Sequence, residues 1–370
     1  MARKKGDSGA TAKAVEPAAQ SERPRLPHAA LRKYVALVFT GHGLIPSDAS
    51  ICADALVSAD LRGVWSHGVA RVPMYCGRLA TGAAKARPDI KVSRLAPGAA
   101  LVDGDDGLGL VVARRAMAEA VAIAKDHGVG LAGVKRSGHF GMAALYVMQA
   151  ARESCLGFAF TNASKALPPF GGKRPFFGTS PIAFAAPTPD GKTFVADMAM
   201  SVTARGKIRY AAQRGEPIPE GVALDAQGRP TTDAATAMEG VVLPMGGHKG
   251  AALSWMNDIL GGVFTGAAFG GEPANPTKDL GEPQRTGHLF IAMRADLFMP
   301  LDDFKQRMAL LDDRVKAEPT AAGFDEILAP GEPEARQRAE REASGLPLTP
   351  DVVGNLRQWG DKVGVPWPFD

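Results

Sequence analysis

The sequence predicts a mixed α/β protein, and three observations carry that expectation. Apolar residues recur at helical spacing over 28–79, and charged helical sequence returns from Leu301 onward. Between these ends, short strand-like and helix-like runs alternate. The one literal G-x-G-x-x-G, at Gly128, Gly130 and Gly133, has a helix before it and a strand after it. A Rossmann turn needs the reverse order, so this match is rejected and the sequence shows no standard Rossmann turn.

The elements follow in order. Residues 1–27 hold six basic and three acidic side chains among Ala, Pro and Ser, and read as a disordered tail. HAALRKYVALVFT from His28 is a helix stopped by Gly41 and Gly43. A second helix starts at Ser47, runs through Leu61 and is closed by Gly63. A third is expected from Ser66 to Leu79, with Pro73 kinking it. After Pro88, DIKVS and AALVDG read as strands, and residues 107–127 as a helix ended by Gly128. VGLAGV is a strand, residues 139–152 an apolar helix, and LGFAFTN a strand. The Pro- and Gly-rich stretches 165–180 and 213–233 read as long loops. VADMAMS ends a strand, an apolar helix begins near residue 248, and TGHLFIAMR is a strand. The expected division is a tail (1–27), an N-terminal helical segment (28–98), an α/β region (99–300) and a C-terminal helical segment (301–370).

Composition excludes several functions. The net charge is +4, of which +3 sits in the tail, so the body is no basic nucleic-acid surface. No run of eighteen apolar residues occurs, so no membrane span is expected. Cys52, Cys76 and Cys155 are scattered and odd in number, which suits a reducing cytoplasm. No His or Cys spacing marks a metal site, and no G-x-S-x-G marks a serine hydrolase.

Several stretches carry chemistry. In DLRGVWSHGVARVPMY (60–75), His67, Arg71 and Tyr75 are spaced by four and would share a helix face. An imidazole, a guanidinium and a phenol on one face suit a carboxylate-binding pocket. Ser66 would cap the backbone, and as a sequence neighbour of His67 it is not expected to face it as nucleophile to base. SGHFG (137–141) sets His139 at a strand end before a helix, where a proton-transfer role and a plain structural histidine are both open. Asp197 in DMA would hold ribose hydroxyls or cap the next turn. Lys249 in GGHKG stands at a glycine-rich helix start, suited to phosphate, carboxylate or simple capping.

Taken together, the motifs resemble the malate/L-lactate dehydrogenase family of NAD(P)-dependent 2-oxo-acid reductases, which is unrelated to the Rossmann lactate dehydrogenases. The matching pieces are the 60–75 stretch, SGHFG, TNAS with PFGG, GTSPIAFAAP, DMAMS, ARGKI, IPEGVALDAQGRPTTD, LPMGGHKG and APGE, in order from residue 60 to 332. The resemblance implies a nicotinamide-binding mixed sheet and a helical domain built from the N- and C-terminal segments. It implies hydride transfer between NAD or NADP and C2 of a small 2-oxo or 2-hydroxy acid, or of a cyclic 2-imino acid. A cofactor-free lyase or hydrolase and a non-catalytic binding protein are the alternatives of another class. His139 would be the proton donor or acceptor, with His67 and Ser66 assisting. Arg71 and Tyr75 would bind substrate, Arg71 through a bidentate grip on its carboxylate. Asp197, Met198, Ala199, Lys249, Ser180, Pro330, Gly331 and Glu332 would bind the cofactor. A homodimer, with neither nucleic acid nor membrane as partner, completes the expectation.

Overall fold

The computed structural model describes residues 24–369. Residues 1–23, most of the expected tail, lie outside the described residues. Residues 25–26 correct that tail's boundary. They form β1 (Arg25–Leu26), which pairs antiparallel with β12 (Leu346–Pro347). A two-residue strand leaves no periodicity in the sequence. Burial of Leu26 and an ion pair from Arg25 to Glu340 at 2.6 Å hold it.

α1 (His28–Gly41), α2 (Pro46–Leu61) and α3 (Val72–Ala80) share a core with the chain's other end. Leu31, Tyr34, Val35, Val38 and Phe39 bury the expected stripe of α1. Tyr34 donates to the Leu356 carbonyl at 2.8 Å, tying α1 to α11 (Pro350–Asp361). α10 (Glu332–Ser344) packs on α2. α9 (Leu301–Lys316) buries no residue and lies against the turn Pro189–Gly191. The described part of the C-terminal segment after residue 331 joins the N-terminal helices.

A seven-stranded sheet fills the middle. Across it run β2 (Lys91–Ala96), β3 (Ala99–Asp103), β4 (Val129–Ser137), β11 (Thr286–Arg294), β5 (Cys155–Thr161), β6 (Ile182–Pro187) and β7 (Thr193–Met198). β3 and β4 are parallel, and every other pair is antiparallel. β2 precedes residue 99, so the sheet begins inside the segment grouped with the helices. α4 (Gly109–His127) and α5 (Ala144–Arg152) cover the sheet. The glycine pattern has a packing role here. Gly128 ends α4 at φ +85°, and a Cβ on Gly130 would lie 2.1 Å from the Ala120 carbonyl oxygen. Helix and strand touch there with no room for a side chain.

A third, smaller core centres on Leu167, Met200, Ile208 and Ala223. Around it stand α6 (Arg205–Arg214), α7 (Ala234–Glu239) and a small sheet of β8 (Ala223–Leu224), β9 (Pro230–Thr231) and β10 (Val241–Val242). The stretch read as a loop at 213–233 thus contains a hairpin. α8 (His248–Asp258) continues into a π-helical turn, Ile259–Val263. Among the described residues no helix is long and apolar enough to cross a membrane.

Candidate active site

The 60–75 stretch is not one helix. Residues 65–67 and 69–71 form two 3-10 turns, and α3 starts only at Val72 with Pro73 in its first turn. Proline starts this helix rather than kinking it, because the missing N–H costs nothing there. Gly68 makes the break possible. A Cβ at that position would sit 1.9 Å from Asp60 Oδ1, while Asp60 Oδ2 accepts the Val69 N–H at 2.7 Å. Burial raises the Asp60 carboxyl to about 7, and the Val69 N–H opposes that rise. The tight turn also brings Ser66 Oγ to 2.9 Å from His67 Nδ1, the adjacent pair expected to stay apart. The helix-spacing argument held only for an α-helix, and a 3-10 turn crowds neighbours differently. Arg71 Nε donates to the Ser66 carbonyl at 2.6 Å.

His139 meets this turn from the other side. Its ring stacks on His67, with centroids 5.4 Å apart and planes 12° apart. Tyr75 Oη lies 2.7 Å from His139 Nδ1, and the Gly141 N–H reaches the same nitrogen at 3.3 Å. With Nδ1 so engaged, a neutral ring carries its proton on Nε2. Tyr75 is 1% exposed, so its hydroxyl supports His139 instead of lining an open face. α5 begins at Ala144, five residues after His139, so the imidazole does not sit at a helix N-terminus as expected. Burial is the main cause of its lowered pKa, with His67 and Arg71 adding to it. His67 is lowered to about 4, by burial and then by Arg71.

The α5 N-terminus is taken by Asp197, whose Oδ2 accepts the Ala144 N–H at 2.8 Å. Solvent reaches Asp197, yet protein crowds it on most sides and raises its carboxyl to about 6, against the Ala144 N–H. The cap is on a helix distant in sequence, not on the next turn. Around the same end of β7 lie the other residues singled out by sequence. Met198 and Ala199 are exposed. The Met200 N–H donates to Thr179 O at 2.8 Å, and the Met245 N–H to Met200 O at 2.9 Å. These bonds bring Ser180 and the loop before Lys249 beside the strand end. Ser180 is 1% exposed at φ +28°, and Asn257 Nδ2 of α8 donates to its carbonyl. On the other side, the Val195 N–H donates to Pro330 O at 3.2 Å. Glu332 has protein partners: Lys316 at 3.0 Å, Arg336 at 2.7 Å and the Ala329 N–H at 3.1 Å. The Lys316 bond leads in holding it down to about 2.

Several supporting residues escaped the sequence reading. Gln284 Oε1 accepts the His139 N–H at 2.8 Å. His288 bridges Thr161 Oγ1 at 2.7 Å and Ser137 Oγ at 2.9 Å, and Phe140 stacks on it with centroids 4.7 Å apart. Arg341 donates to the Asp60 carbonyl. All of these partners are far apart along the chain, so no local spacing announces them.

Comparison with known proteins adds to the geometry. A sequence profile described as malate/L-lactate dehydrogenase matches residues 26–357. An L-sulfolactate dehydrogenase of Methanocaldococcus jannaschii is 39% identical over 90% of this chain and 96% of its own. A solved sulfolactate dehydrogenase structure from that organism superposes with a TM-score of 0.88 at 38% identity, covering 93% of this chain and 98% of its own. A malate dehydrogenase of Pyrococcus horikoshii is 37% identical over 92% and 96% of the two chains. A (2R)-3-sulfolactate dehydrogenase (NADP(+)) of Chromohalobacter salexigens is 36% identical over 84% and 91%.

Proposed function

The chain belongs to the malate/L-lactate dehydrogenase family, and on that premise we propose how its residues divide the work. It is an NAD(P)-dependent oxidoreductase of small 2-hydroxy and 2-oxo acids. The observation that carries the residue assignment is the His67–His139 stack beside Arg71, with Tyr75 Oη on His139 Nδ1.

The residues near β7 fit a dinucleotide. The buried Ser180 Oγ has no hydrogen-bond partner, and neither does the buried Nε of Arg62, whose guanidinium interacts with Asp197. Gly331, at φ +87°, would place a Cβ 2.9 Å from the Val195 Cβ, so backbone alone fits at that position. Asp197, Met198, Ala199, Ser180, Lys249, Pro330 and Gly331 would hold the cofactor, and Glu332 would fix the Pro330–Gly331 turn through its ion pairs. When bound, the nicotinamide supplies or takes the hydride. Arg71 grips the substrate carboxylate and orients C2. His139 Nε2–H gives its proton to the substrate oxygen in reduction and takes it back in oxidation. His67, stacked on His139 and bonded to Ser66, keeps the ring in place and excludes water from one side.

Two further assignments belong to this reading. The free, buried Cys52, Cys76 and Cys155 are consistent with a reducing cytoplasm. Trp255, Ile259 and Val263 are about half exposed and spaced by four along α8 and its π turn, beside the exposed Phe264. Such a stripe suits a second copy of the chain, giving a homodimer. As working units, the sheet region 99–300 takes in β2, and the C-terminal residues after 331 act with the N-terminal helices.

The test is loss of reduced-nicotinamide absorbance with NADH or NADPH against pyruvate, oxaloacetate and 3-sulfopyruvate. His139→Ala should lower kcat by about 10²–10⁴-fold while cofactor Kd holds. Arg71→Ala should raise KM on the order of 100-fold and also slow the chemistry. Unchanged constants in either variant would remove that residue from its role.

A further inference from the structure

We propose that Tyr75 and one water held against Asp106 carry a proton from solvent to His139 Nδ1 while Nε2 gives its own to the substrate. The route rests on the reading of His139 as the proton donor. It begins at the 2.7 Å contact between Tyr75 Oη and His139 Nδ1. Beyond the phenol lies a cavity of about 10 Å³, lined among others by Tyr75, His139, Ser137, Gln284 and Asp106. That volume holds a single water, and a water settles where several polar groups meet it. Asp106 supplies the partner such a water needs. Its Oδ1 is buried with no hydrogen bond, while Oδ2 faces Arg136 at 3.3 Å and the side chain is 19% exposed. Asp106 therefore lines the cavity, and its carboxylate joins the solvent-facing ion cluster of Asp103, Asp105, Lys85 and Arg136.

The backbone is bent to present it. Asp105 and Asp106 both adopt positive φ, at 48° and 57°, and so does their partner Arg136 at 51°. Consecutive left-handed residues that are not glycine carry strain, which persists where the surroundings enforce it. Here the Asp106 N–H donates to Arg136 O at 2.9 Å and the Gly107 N–H to Gly104 O at 2.8 Å. Arg78, the other charged group on the cavity, is engaged by the carbonyls of Asp279 and Glu282 and carries no exchangeable carboxyl.

The proton balance closes. In reduction the substrate O–H bond forms as the His139 Nε2–H bond breaks. Nδ1 takes the phenolic proton, Tyr75 Oη takes one from the water, and the water takes one from solvent by way of the Asp106 carboxyl. Burial pushes the Tyr75 phenol far above its ordinary range, so these transfers run in concert without a free phenolate. After product leaves, Nε2 takes a proton from water on the open face and Nδ1 returns its own along the route. One solvent proton is consumed per turnover.

The experiment is stopped-flow single turnover of the purified enzyme in H₂O and D₂O, for wild type, Asp106→Asn and Tyr75→Phe. Asparagine keeps the shape of Asp106 but cannot carry the proton. Both variants should slow cofactor oxidation about tenfold and enlarge its solvent isotope effect, with substrate KM and cofactor Kd unchanged. A slowed step with the wild-type isotope effect means a structural role, and overturns the route. So does an unchanged rate in both variants, or a wild-type step with no solvent isotope effect. Wild type inert toward every 2-oxo acid with either cofactor would instead overturn the parent reading.

Discussion

Gly68 shows how one missing side chain sets the site. Its Cβ would fall inside the Asp60 carboxylate, so Gly68→Ala must push apart the turn that carries His67 and Arg71. We expect a loss of stability of about 2–4 kcal/mol, seen as a lower denaturant midpoint, together with reduced kcat/KM. A variant with wild-type midpoint and activity would show that the turn relaxes freely. At this scale the sequence was partly legible. Ser66, His67, Arg71 and His139 could be picked out because polar residues interrupted apolar runs. The i, i+4, i+8 spacing of His67, Arg71 and Tyr75 fits an α-helix, and nothing local announces the two 3-10 turns found there. Asp60 and Gln284 were invisible as site residues. Their roles arise from contacts nine and 145 positions away.

Elements explain Asp197 better than residue type does. The carboxylate closes β7 and caps α5 in one contact, joining the strand end proposed to hold the cofactor to the loop that carries His139. Asp197→Ala should cost about 1 kcal/mol through the lost cap and also weaken NAD(P)H binding. Asp197→Asn, which keeps an acceptor, should recover most of the stability. Equal melting temperatures for all three proteins would remove the capping role. Long elements were readable: α1, α4, β4 and β11 follow strong periodicity to within a few residues of their ends. Short ones were not. The β8–β9 hairpin has two residues per strand, and its turn is held by Asp225, which accepts the N–H groups of Gln227 and Arg229 and pairs with the Arg229 guanidinium. The D-A-Q-G-R string carried that turn signal, inside a stretch whose Pro and Gly content read as plain loop.

Over the whole molecule, charge burial links stability to pH. The folded state holds the Asp60 proton up to about 7, whereas an unfolded carboxyl releases it near 4. The folded chain therefore binds more protons in that window, and this group's contribution declines as pH rises from about 4 to 7. His67, lowered to about 4, and His288, lowered to about 3, act oppositely: their share is present above the ordinary histidine range and is lost as pH falls through those values. Denaturant unfolding of wild type against Asp60→Asn isolates the first effect. The difference between them should shift in favour of the variant by on the order of 1 kcal/mol per pH unit across that window. A pH-independent difference would mean the carboxyl titrates normally. Assembly is tested at the same scale: Ile259→Lys should convert a dimer to a monomer in analytical ultracentrifugation, and a wild-type monomer at micromolar concentration would sink the dimer. The sheet order has a consequence for biosynthesis. β11 lies between β4 and β5, yet it is made more than a hundred residues after either. At ribosomal speed that interval lasts on the order of ten seconds. For that time the nascent chain carries two ribbons with bare edges, β2–β4 and β5–β7, which fit the same missing strand. Two neighbouring nascent chains on one message could exchange it, so this protein should depend on holdase chaperones during translation more than its finished stability suggests.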